Sequence, residues 1–346
     1  MAYDLFETRE MLPMLEEAKP ANTFLKSLFF SNEVAFDTEH VDIDIMAGKR
    51  RLAPIVAPRF GSKTVERTGY SAKTYKPAQV APDMITTAED LLKRMPGETI
   101  YGMMSPDERA AAQLTKDMLE MEGMITRREE EMCAQALFTG QVRQVGEGVD
   151  ETVQYWSQLD SADQPITTLT GGALWTADTA VIDQNLRTWR RSTVQRSGVG
   201  ATDAILGQGA ADALLANVNL RKLMDTRRID MGLIQPELLP DGVTYLGQIR
   251  GTGIDLWSYD EWYLGDTGTE ESPMVPSDSV LLGSRNARTS MLYGCVVDPV
   301  QGSFAAPRVP VSYTQRKPIE GRVLAVKSRP LPAIHQIYGF HVAKVI

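Results

Sequence analysis

Three consecutive glutamates, Glu129–Glu131, are the residues of this chain that most invite a chemical interpretation. They lie in the stretch MITRREEEM, residues 124–132, directly after Arg127 and Arg128. Clustered carboxylates can bind a metal ion or exchange protons in acid–base catalysis. Consecutive helical residues point about 100° apart, however, and ligand pairs on a helix are three or four residues apart. The spacing therefore favours a solvated helix face, with weak surface pairs from each arginine to a glutamate three or four residues later, or charges that meet a neighbouring chain.

The other motifs that could carry chemistry are weak. GQGAAD, residues 207–212, lacks the third glycine of a dinucleotide fingerprint, and Asp212 would repel a pyrophosphate, so a tight turn explains it better. The histidines have no HxH or HExxH spacing, and no serine lies in a GxSxG motif. We therefore predict no catalytic residue, no cofactor and no metal, and hence no enzyme. A soluble α/β enzyme is the alternative from another class, which a compact monomer with a deep polar cleft would favour.

Composition and charge argue against two further classes. The 346 residues carry 36 Lys and Arg against 45 Asp and Glu, a net charge of −9, which is the wrong sign for a surface that grips nucleic acid along its length. No stretch reaches the roughly 18 apolar residues of a membrane span, and the first residues lack a signal-peptide pattern. The two cysteines have no paired spacing, so we expect reduced thiols in a chain made in a cytosol.

The first part of the chain predicts an arm, a strand and a long hairpin. TFLKSLFF, residues 23–30, has apolar residues at helical spacing, and EHVDIDIM, residues 39–46, alternates like a half-buried strand. Residues 47–82 are polar, with several prolines and a turn near Gly61, and predict an extended two-armed hairpin. With about 18 residues per arm the hairpin would reach on the order of 60 Å, so we expect it to rest on another molecule.

A long helix is predicted over Pro106–Phe138. Ser105 and Glu108 can form a capping box, and Gly140 can terminate the helix. Its apolar stripe predicts one face against a surface and the rest in water. The stripe consists of Ala111, Leu114, Met118, Met121, Ile125, Met132 and Ala136.

The sequence after residue 160 predicts a mixed α+β lobe. A helix is expected within residues 176–198, and a strand, turn and second helix within residues 202–218. The tail from Arg322 has β character again and is predicted to close a sheet begun by the first strands. Further strands are predicted at residues 242–249, 253–260, 279–283 and 290–297.

Nine short motifs occur in order along nearly the whole chain. They are LFF at 28–30, DTEHV at 37–41, KRRLAPIVAP at 49–58, ERTGYSAKTYKP at 66–77, SPDER at 105–109, MITRR at 124–128, AQALFTG at 134–140, LMDTRR at 223–228 and YGCVVD at 293–298. With the order of elements, they resemble the major capsid protein E family of lambda-like tailed bacteriophages. One motif would be weak, but nine in order are specific.

The resemblance implies an α+β chain with the Hong Kong 97-type phage capsid fold. Such a chain would have an N-terminal arm, an extended hairpin loop, a peripheral domain built around the spine helix, and a mixed axial domain. The implied ranges are 1–32 for the arm, 47–93 for the hairpin loop, 33–46, 94–160 and 305–346 for the peripheral domain with its spine helix at 106–138, and 161–304 for the axial domain.

The resemblance also implies a structural function, that of the major head protein of a bacteriophage or prophage. Copies would assemble into pentamers and hexamers of an icosahedral virion shell that encloses double-stranded DNA without sequence-specific binding. Expected partners are other copies of the chain, a portal protein, a scaffold or head protease, and a decoration protein, with assembly in the bacterial host cytoplasm. An encapsulin-like compartment shell of the same fold is the alternative. No motif selects a lysine for crosslinking, so we expect no covalent crosslinks.

Reach and charge indicate where copies would meet. The hairpin would extend its basic and aromatic side chains toward a neighbour, and the LMDTRR motif would present charges within the axial region. The predicted subunit contacts are Arg50, Arg51, Arg67 and Tyr70 in the hairpin, and Asp225, Arg227 and Arg228 in LMDTRR.

Overall fold

The structure, a computed structural model, describes residues 23–46, 52–65, 70–92, 105–157, 159–161, 163–217, 237–238, 242–249, 253–265, 269–298, 302–316 and 320–346. Within these ranges the α-helices are α1 (Phe24–Phe29), α2 (Ala88–Leu92), α3 (Pro106–Thr139), α4 (Ile182–Ser197) and α5 (Gln208–Ala216). The strands are β1 (Glu33–Ala35), β2 (Val41–Met46), β3 (Tyr70–Tyr75), β4 (Asp83–Thr86), β5 (Gln141–Gly146), β6 (Val149–Gln154), β7 (Ile166–Thr168), β8 (Asp203–Leu206), β9 (Glu237–Leu238), β10 (Val243–Ile249), β11 (Ile254–Tyr259), β12 (Trp262–Leu264), β13 (Glu271–Pro273), β14 (Ser279–Gly283), β15 (Thr289–Tyr293), β16 (Val296–Asp298), β17 (Gly302–Phe304), β18 (Val309–Gln315), β19 (Gly321–Lys327), β20 (Pro330–Ile334) and β21 (His341–Lys344).

The spine helix α3 begins and ends where its sequence predicts. Ser105 Oγ accepts the Glu108 N–H, and the Glu108 carboxylate accepts the Ser105 N–H at 2.7 Å, which completes the capping box. Gly140 ends the helix in the left-handed conformation, with φ 67°. The 34 residues between these caps span about 50 Å.

The apolar stripe of α3 is confirmed in its first half, where the helix lies on the sheet β18-β19-β4. Leu114, Met118, Met121 and Ile125 are buried there against β19. The prediction of a single buried face is wrong for the last turns, because nearly every residue from 129 to 138 is buried. This half of α3 is a core helix, covered by α1 and by two further sheets.

A mixed seven-stranded sheet is built from strands after residue 160, in the order β7-β21-β14-β8-β11-β10-β9. β8 lies parallel to β11 and antiparallel to β14, and β21 lies parallel to β7. Helices α4 and α5 pack their apolar residues on this sheet, with Leu186 and Leu214 among the buried contacts. The predicted mixed α+β character of this region is confirmed.

The tail contributes strands to three sheets, in the first of which β19 pairs with β18 and β4. β20 pairs with β15, which pairs with β1, so this part of the tail does close a sheet with an early strand. β21 instead lies inside the seven-stranded sheet, between β7 and β14. Strands from the predicted peripheral and axial ranges therefore share sheets, and the predicted division into domains stays a prediction.

The hairpin is confirmed at its base. β2 and β3 pair in an antiparallel ladder from Val41 with Tyr75 to Met46 with Tyr70. Residues 52–65 lie outside any strand and contain one 3-10 turn at Pro58–Phe60, followed by Gly61 at φ 67°. The predicted turn near Gly61 is present, but residues 52–65 around it do not pair as a ladder.

In the GQGAAD stretch, Gly207 joins β8 to α5, and the other five residues form the start of α5. A Cβ on Gly207 would lie 2.1 Å from the Pro276 carbonyl oxygen, so glycine is needed for the close approach of two backbone segments. This packing role matches the predicted tight turn.

Cys133 and Cys295 are free and buried. None of the helices in the described ranges is long and apolar enough to cross a membrane.

Candidate functional site

The three glutamates of MITRREEEM are buried, and the predicted solvated face is wrong. The exposed fractions of Glu129, Glu130 and Glu131 are 0%, 2% and 6%. The physical reason is that α1 packs on this part of α3, and β11 and the segment before β18 supply further partners. As the spacing predicts, the three carboxylates point in different directions, and each has its own set of partners.

Glu129 is the centre of an ionic cluster formed by Lys26, Glu33, Glu122, Glu129 and Arg308. Its carboxylate lies 3.0 Å from Lys26 Nζ and 2.6 Å from Arg308 Nη1. Arg308 Nε is also 2.8 Å from a Glu122 oxygen, and Lys26 Nζ is 2.8 Å from a Glu33 oxygen. Because Lys26 belongs to α1 and Arg308 immediately precedes β18, the ionic cluster ties both segments to α3.

The charges of the ionic cluster stabilise one another. Burial acts to lower the pKa of Lys26, but Glu129, Tyr293 and Glu33 together outweigh it and hold that pKa well above its usual value. Burial likewise acts to lower the pKa of Arg308, but the charge and hydrogen bond of Glu129, with Glu122 and Tyr293, raise it. Burial and Glu129 raise the pKa of the Tyr293 hydroxyl, which accepts a hydrogen bond from Lys26 Nζ at 3.0 Å. Lys26 and Arg308 therefore stay positive and Tyr293 stays neutral near pH 7.

Glu130 caps the start of α1. One carboxylate oxygen accepts the Leu25 N–H at 2.6 Å, and the other accepts the Lys26 N–H at 3.0 Å. A carboxylate at a helix N-terminus satisfies otherwise unpaired N–H groups and complements the helix dipole. Burial raises the pKa of Glu130 to about 7, although the two backbone N–H groups act in the opposite direction.

Glu131 lies on a third side of the helix. Its carboxylate accepts a hydrogen bond from Gln135 Nε2 and lies 3.4 Å from Arg128 Nη1. The predicted pair between Arg128 and Glu131 is therefore present. Arg127 Nε donates instead to the Gly123 carbonyl oxygen at 3.1 Å.

The arrangement is suited to holding segments together. A cavity of about 350 Å³ opens beside the ionic cluster and is lined by Lys26, Arg308, Glu122 and Tyr293 among others. These side chains are already paired with one another, so they present no free nucleophile or acid–base pair to the cavity. Over the ranges that the structure describes, no three His, Cys, Asp or Glu side chains are grouped so as to hold a metal ion.

Two of the three histidines occupy structural positions. His341 Nε2 lies 3.1 Å from Thr167 Oγ1, and His335 Nε2 lies 3.3 Å from Ser290 Oγ. Burial, together with the charge of Arg196, lowers the pKa of His341 to about 4. His341 is therefore neutral at physiological pH and joins β21 to β7.

The predicted subunit contacts lie almost entirely outside the described residues. This applies to Arg50, Arg51, Arg67, Asp225, Arg227 and Arg228. Tyr70 is the first residue of β3, where its backbone is paired with Met46. Their role as contacts stays a prediction.

The described part of the hairpin loop has exposed apolar side chains. Leu52 and Ile55 are 96% and 103% exposed, and Val65 is half exposed. Apolar residues gathered on an exposed segment are typical of an interaction surface. The loop therefore has the character of a contact surface without relying on the predicted arginines.

Sequence reasoning missed Lys26 and Arg308, although one signal was available for their partners. Glu122 and Glu129 are seven residues apart, which puts both on the helix face that carries Ile125. Acidic side chains within an apolar stripe are buried, and buried charges require cations from elsewhere. The lone lysine in TFLKSLFF was a candidate for that role, whereas nothing near Arg308 pointed to it.

The chain matches one family over almost its full length. The family model described as phage major capsid protein E matches residues 7–345. The chain is 22% identical over 334 residues to the major capsid protein of Escherichia phage lambda, covering 94% of this chain and 95% of that protein. It is 24% identical over 312 residues to the P21 prophage-derived major head protein of Escherichia coli O6:H1, covering 88% and 89%.

Solved structures share the fold. One, assigned as the capsid protein of an Escherichia coli CFT073 prophage, aligns with a TM-score of 0.73 at 20% identity, covering 98% of this chain and 99% of that chain. A phage-related protein from Bordetella bronchiseptica RB50 aligns with a TM-score of 0.55 at 14% identity, covering 96% and 95%. At these identities the likeness establishes the common architecture.

Proposed function

Because the chain belongs to the phage major capsid protein E family and has the α+β Hong Kong 97-type capsid fold, we propose that its copies form the pentamers and hexamers of an icosahedral shell around phage double-stranded DNA. The family match over residues 7–345 is the observation that carries this proposal. The chain is a structural protein and not an enzyme.

The exposed hairpin loop supports self-assembly. Leu52 and Ile55 are almost fully exposed on a segment that runs between β2 and β3. Burying one such side chain typically contributes about 1.5–3 kcal/mol. A neighbouring copy that covers the loop would therefore stabilise both the loop and the assembly.

The remaining partners are proposed on the same basis. We extend the proposal to a portal protein, a scaffold or head protease, and a decoration protein, with assembly in the cytoplasm of the bacterial host. A chain of net charge −9 would not adhere to DNA, so the DNA would be enclosed without sequence-specific binding. The encapsulin-like alternative would enclose a cargo enzyme instead, and the family match favours the phage capsid.

Electron microscopy of the expressed chain tests the proposal. We expect closed shells, tubes or capsomer rings, either from the chain alone or when it is expressed together with the genes that flank it. A monodisperse monomer in both preparations, measured by light scattering, would contradict self-assembly. A flanking cargo enzyme in place of portal, protease and terminase genes would favour the encapsulin-like alternative.

Reversing the charge at Arg227 or Arg228 should impair assembly and leave the subunit folded. Like charges brought together at an interface cost several kcal/mol, and about 1.4 kcal/mol already corresponds to a tenfold change, so we expect at least about tenfold fewer shells. Sedimentation measures the assembled fraction of Arg227→Glu and Arg228→Glu, and circular dichroism measures folding. Arg191→Glu, at an exposed position on α4, is the matched control. Normal shells from both variants would remove these residues from the contact.

A further inference from the structure

Around Glu130 there are fewer hydrogen-bond donors than carboxylate acceptors when every carboxyl group is ionised. Glu130 accepts the two N–H groups at the start of α1 and is also hydrogen-bonded to the Tyr259 hydroxyl. Tyr259 donates its one proton to a Glu261 oxygen at 2.5 Å. Two carboxylates therefore compete for a single phenolic proton. A proton on Glu130 removes the competition, because its O–H can donate to the Tyr259 oxygen while Tyr259 still donates to Glu261.

We propose that Glu130 is a proton-operated latch that controls whether α1 stays docked on α3. With a proton bound, the Glu130 carboxyl is neutral and all of its hydrogen bonds are satisfied. After the proton is lost, a charge remains in a site that is almost closed to solvent, since Glu130 is 2% exposed. Undocking of α1 would open one side of that site to water, because α1 supplies both backbone N–H groups that face the carboxylate.

The direction of the pH dependence follows from the two states of Glu130. Burial raises its pKa to about 7 in the docked state, against 4.5 for an exposed glutamate. The docked state therefore binds the proton more tightly, and docking is strongest below pH 4.5. Docking weakens as the pH rises toward about 7 and changes little above it. The gap between the two pKa values allows at most about a 300-fold change in the ratio of docked to undocked α1.

The groups that face Glu130 do not share this behaviour. Lys26 of α1 stays positive, because Glu129, Tyr293 and Glu33 together keep the pKa of Lys26 well above its usual value in spite of burial. Burial raises the pKa of both Cys133, one turn along α3, and Tyr259 of β11, so both stay neutral. Glu129 forms ion pairs with Lys26 and Arg308, whereas the described partners of Glu130 are two backbone N–H groups and a hydroxyl. Glu261 provides the acceptor at the far end of the chain of hydrogen bonds.

A spin label on α1 reports docking directly. Ser27 is exposed on α1, so Ser27→Cys allows a nitroxide to be attached, and the unsubstituted chain shows the background from the buried Cys133 and Cys295. The measured quantity is the urea concentration that mobilises half of the labels, at pH values from 5 to 8.5. The labelled subunits need not assemble, so the result is independent of shell formation.

We expect the urea midpoint to fall as the pH rises from 5 to about 7 and to level off above that. Glu130→Gln should remove this dependence, whereas Glu120→Gln, exposed on the same helix, should retain it. Glu129→Gln should lower the midpoint at every pH and keep the slope, because it breaks the ionic cluster without touching the latch. A flat profile in the parent chain, or the parent profile in Glu130→Gln, would overturn the proposal.

Discussion

Replacing Glu129 by glutamine should destabilise the folded chain by about 3 kcal/mol, at the lower end of the cost of breaking a buried ion pair. A glutamine can accept from one cation through its oxygen, but its NH₂ group then faces the other cation. Lys26 and Arg308, with side chains 15% and 12% exposed, would each lose their most buried counter-charge. Their remaining pairs with Glu33 and Glu122 keep the loss below that of an isolated buried charge. Urea unfolding at pH 7 measures the change as a shift of the midpoint.

The control is Glu120→Gln, which makes the same chemical change at an exposed position of the same helix. We expect it to change the free energy of unfolding by no more than about 0.5 kcal/mol. If Glu129→Gln were equally mild, the ionic cluster would not contribute to stability, and its three segments would be held by apolar packing alone.

Gly140→Ala should destabilise the chain by about 2–4 kcal/mol, through two separate effects. Gly140 has φ 67°, a conformation that alanine adopts at a cost of about 1 kcal/mol. The new Cβ would also lie 2.0 Å from Trp156 Cδ2, so the buried indole would have to move. Thermal or urea unfolding measures the sum of the two effects.

Gly148→Ala separates the two effects. Gly148 has φ 76°, and a Cβ there would meet nothing within 4 Å, so only the backbone cost of about 1 kcal/mol applies. The difference between the two variants is then the cost of displacing Trp156. Equal losses in both variants would assign the whole effect to the backbone and none to the indole contact.

The elements that sequence reasoning located well are those with local signals. Helix α3 was located because its capping residues are local signals. Ser105 and Glu108 mark its start, and Gly140 directly follows its last residue. β2 was located because Val41 and Ile43 alternate with aspartates, and both are fully buried. Local spacing also showed that three neighbouring carboxylates cannot converge on one ion, which agrees with their three separate sets of partners.

Sequence reasoning failed to predict that Glu129–Glu131 are buried, because their burial depends on residues far away in the sequence. The hydrogen bond from Lys26 to Glu129 joins residues 103 apart, and that from Arg308 to Glu129 joins residues 179 apart. A charged run taken alone resembles a solvated face, and no local pattern reveals the cations that will cover it. Tertiary contacts decide whether such a charged run is buried. In the sequence, only the seven-residue spacing of Glu122 and Glu129 indicated that these contacts exist.

The position of β21 in the seven-stranded sheet has a consequence for synthesis on the ribosome. Thr167 of β7 and His341 of β21 are hydrogen-bonded but lie 174 residues apart. At a translation rate of about 5–20 residues per second, β21 is synthesised roughly 9–35 s after β7. Until then β7 lacks the strand that joins it to β14. A nascent or prematurely terminated chain cannot close this sheet and stays exposed to chaperones and proteases. Formation of the seven-stranded sheet therefore follows the synthesis of β21, because β7 and β14 are joined only through that strand in this sheet.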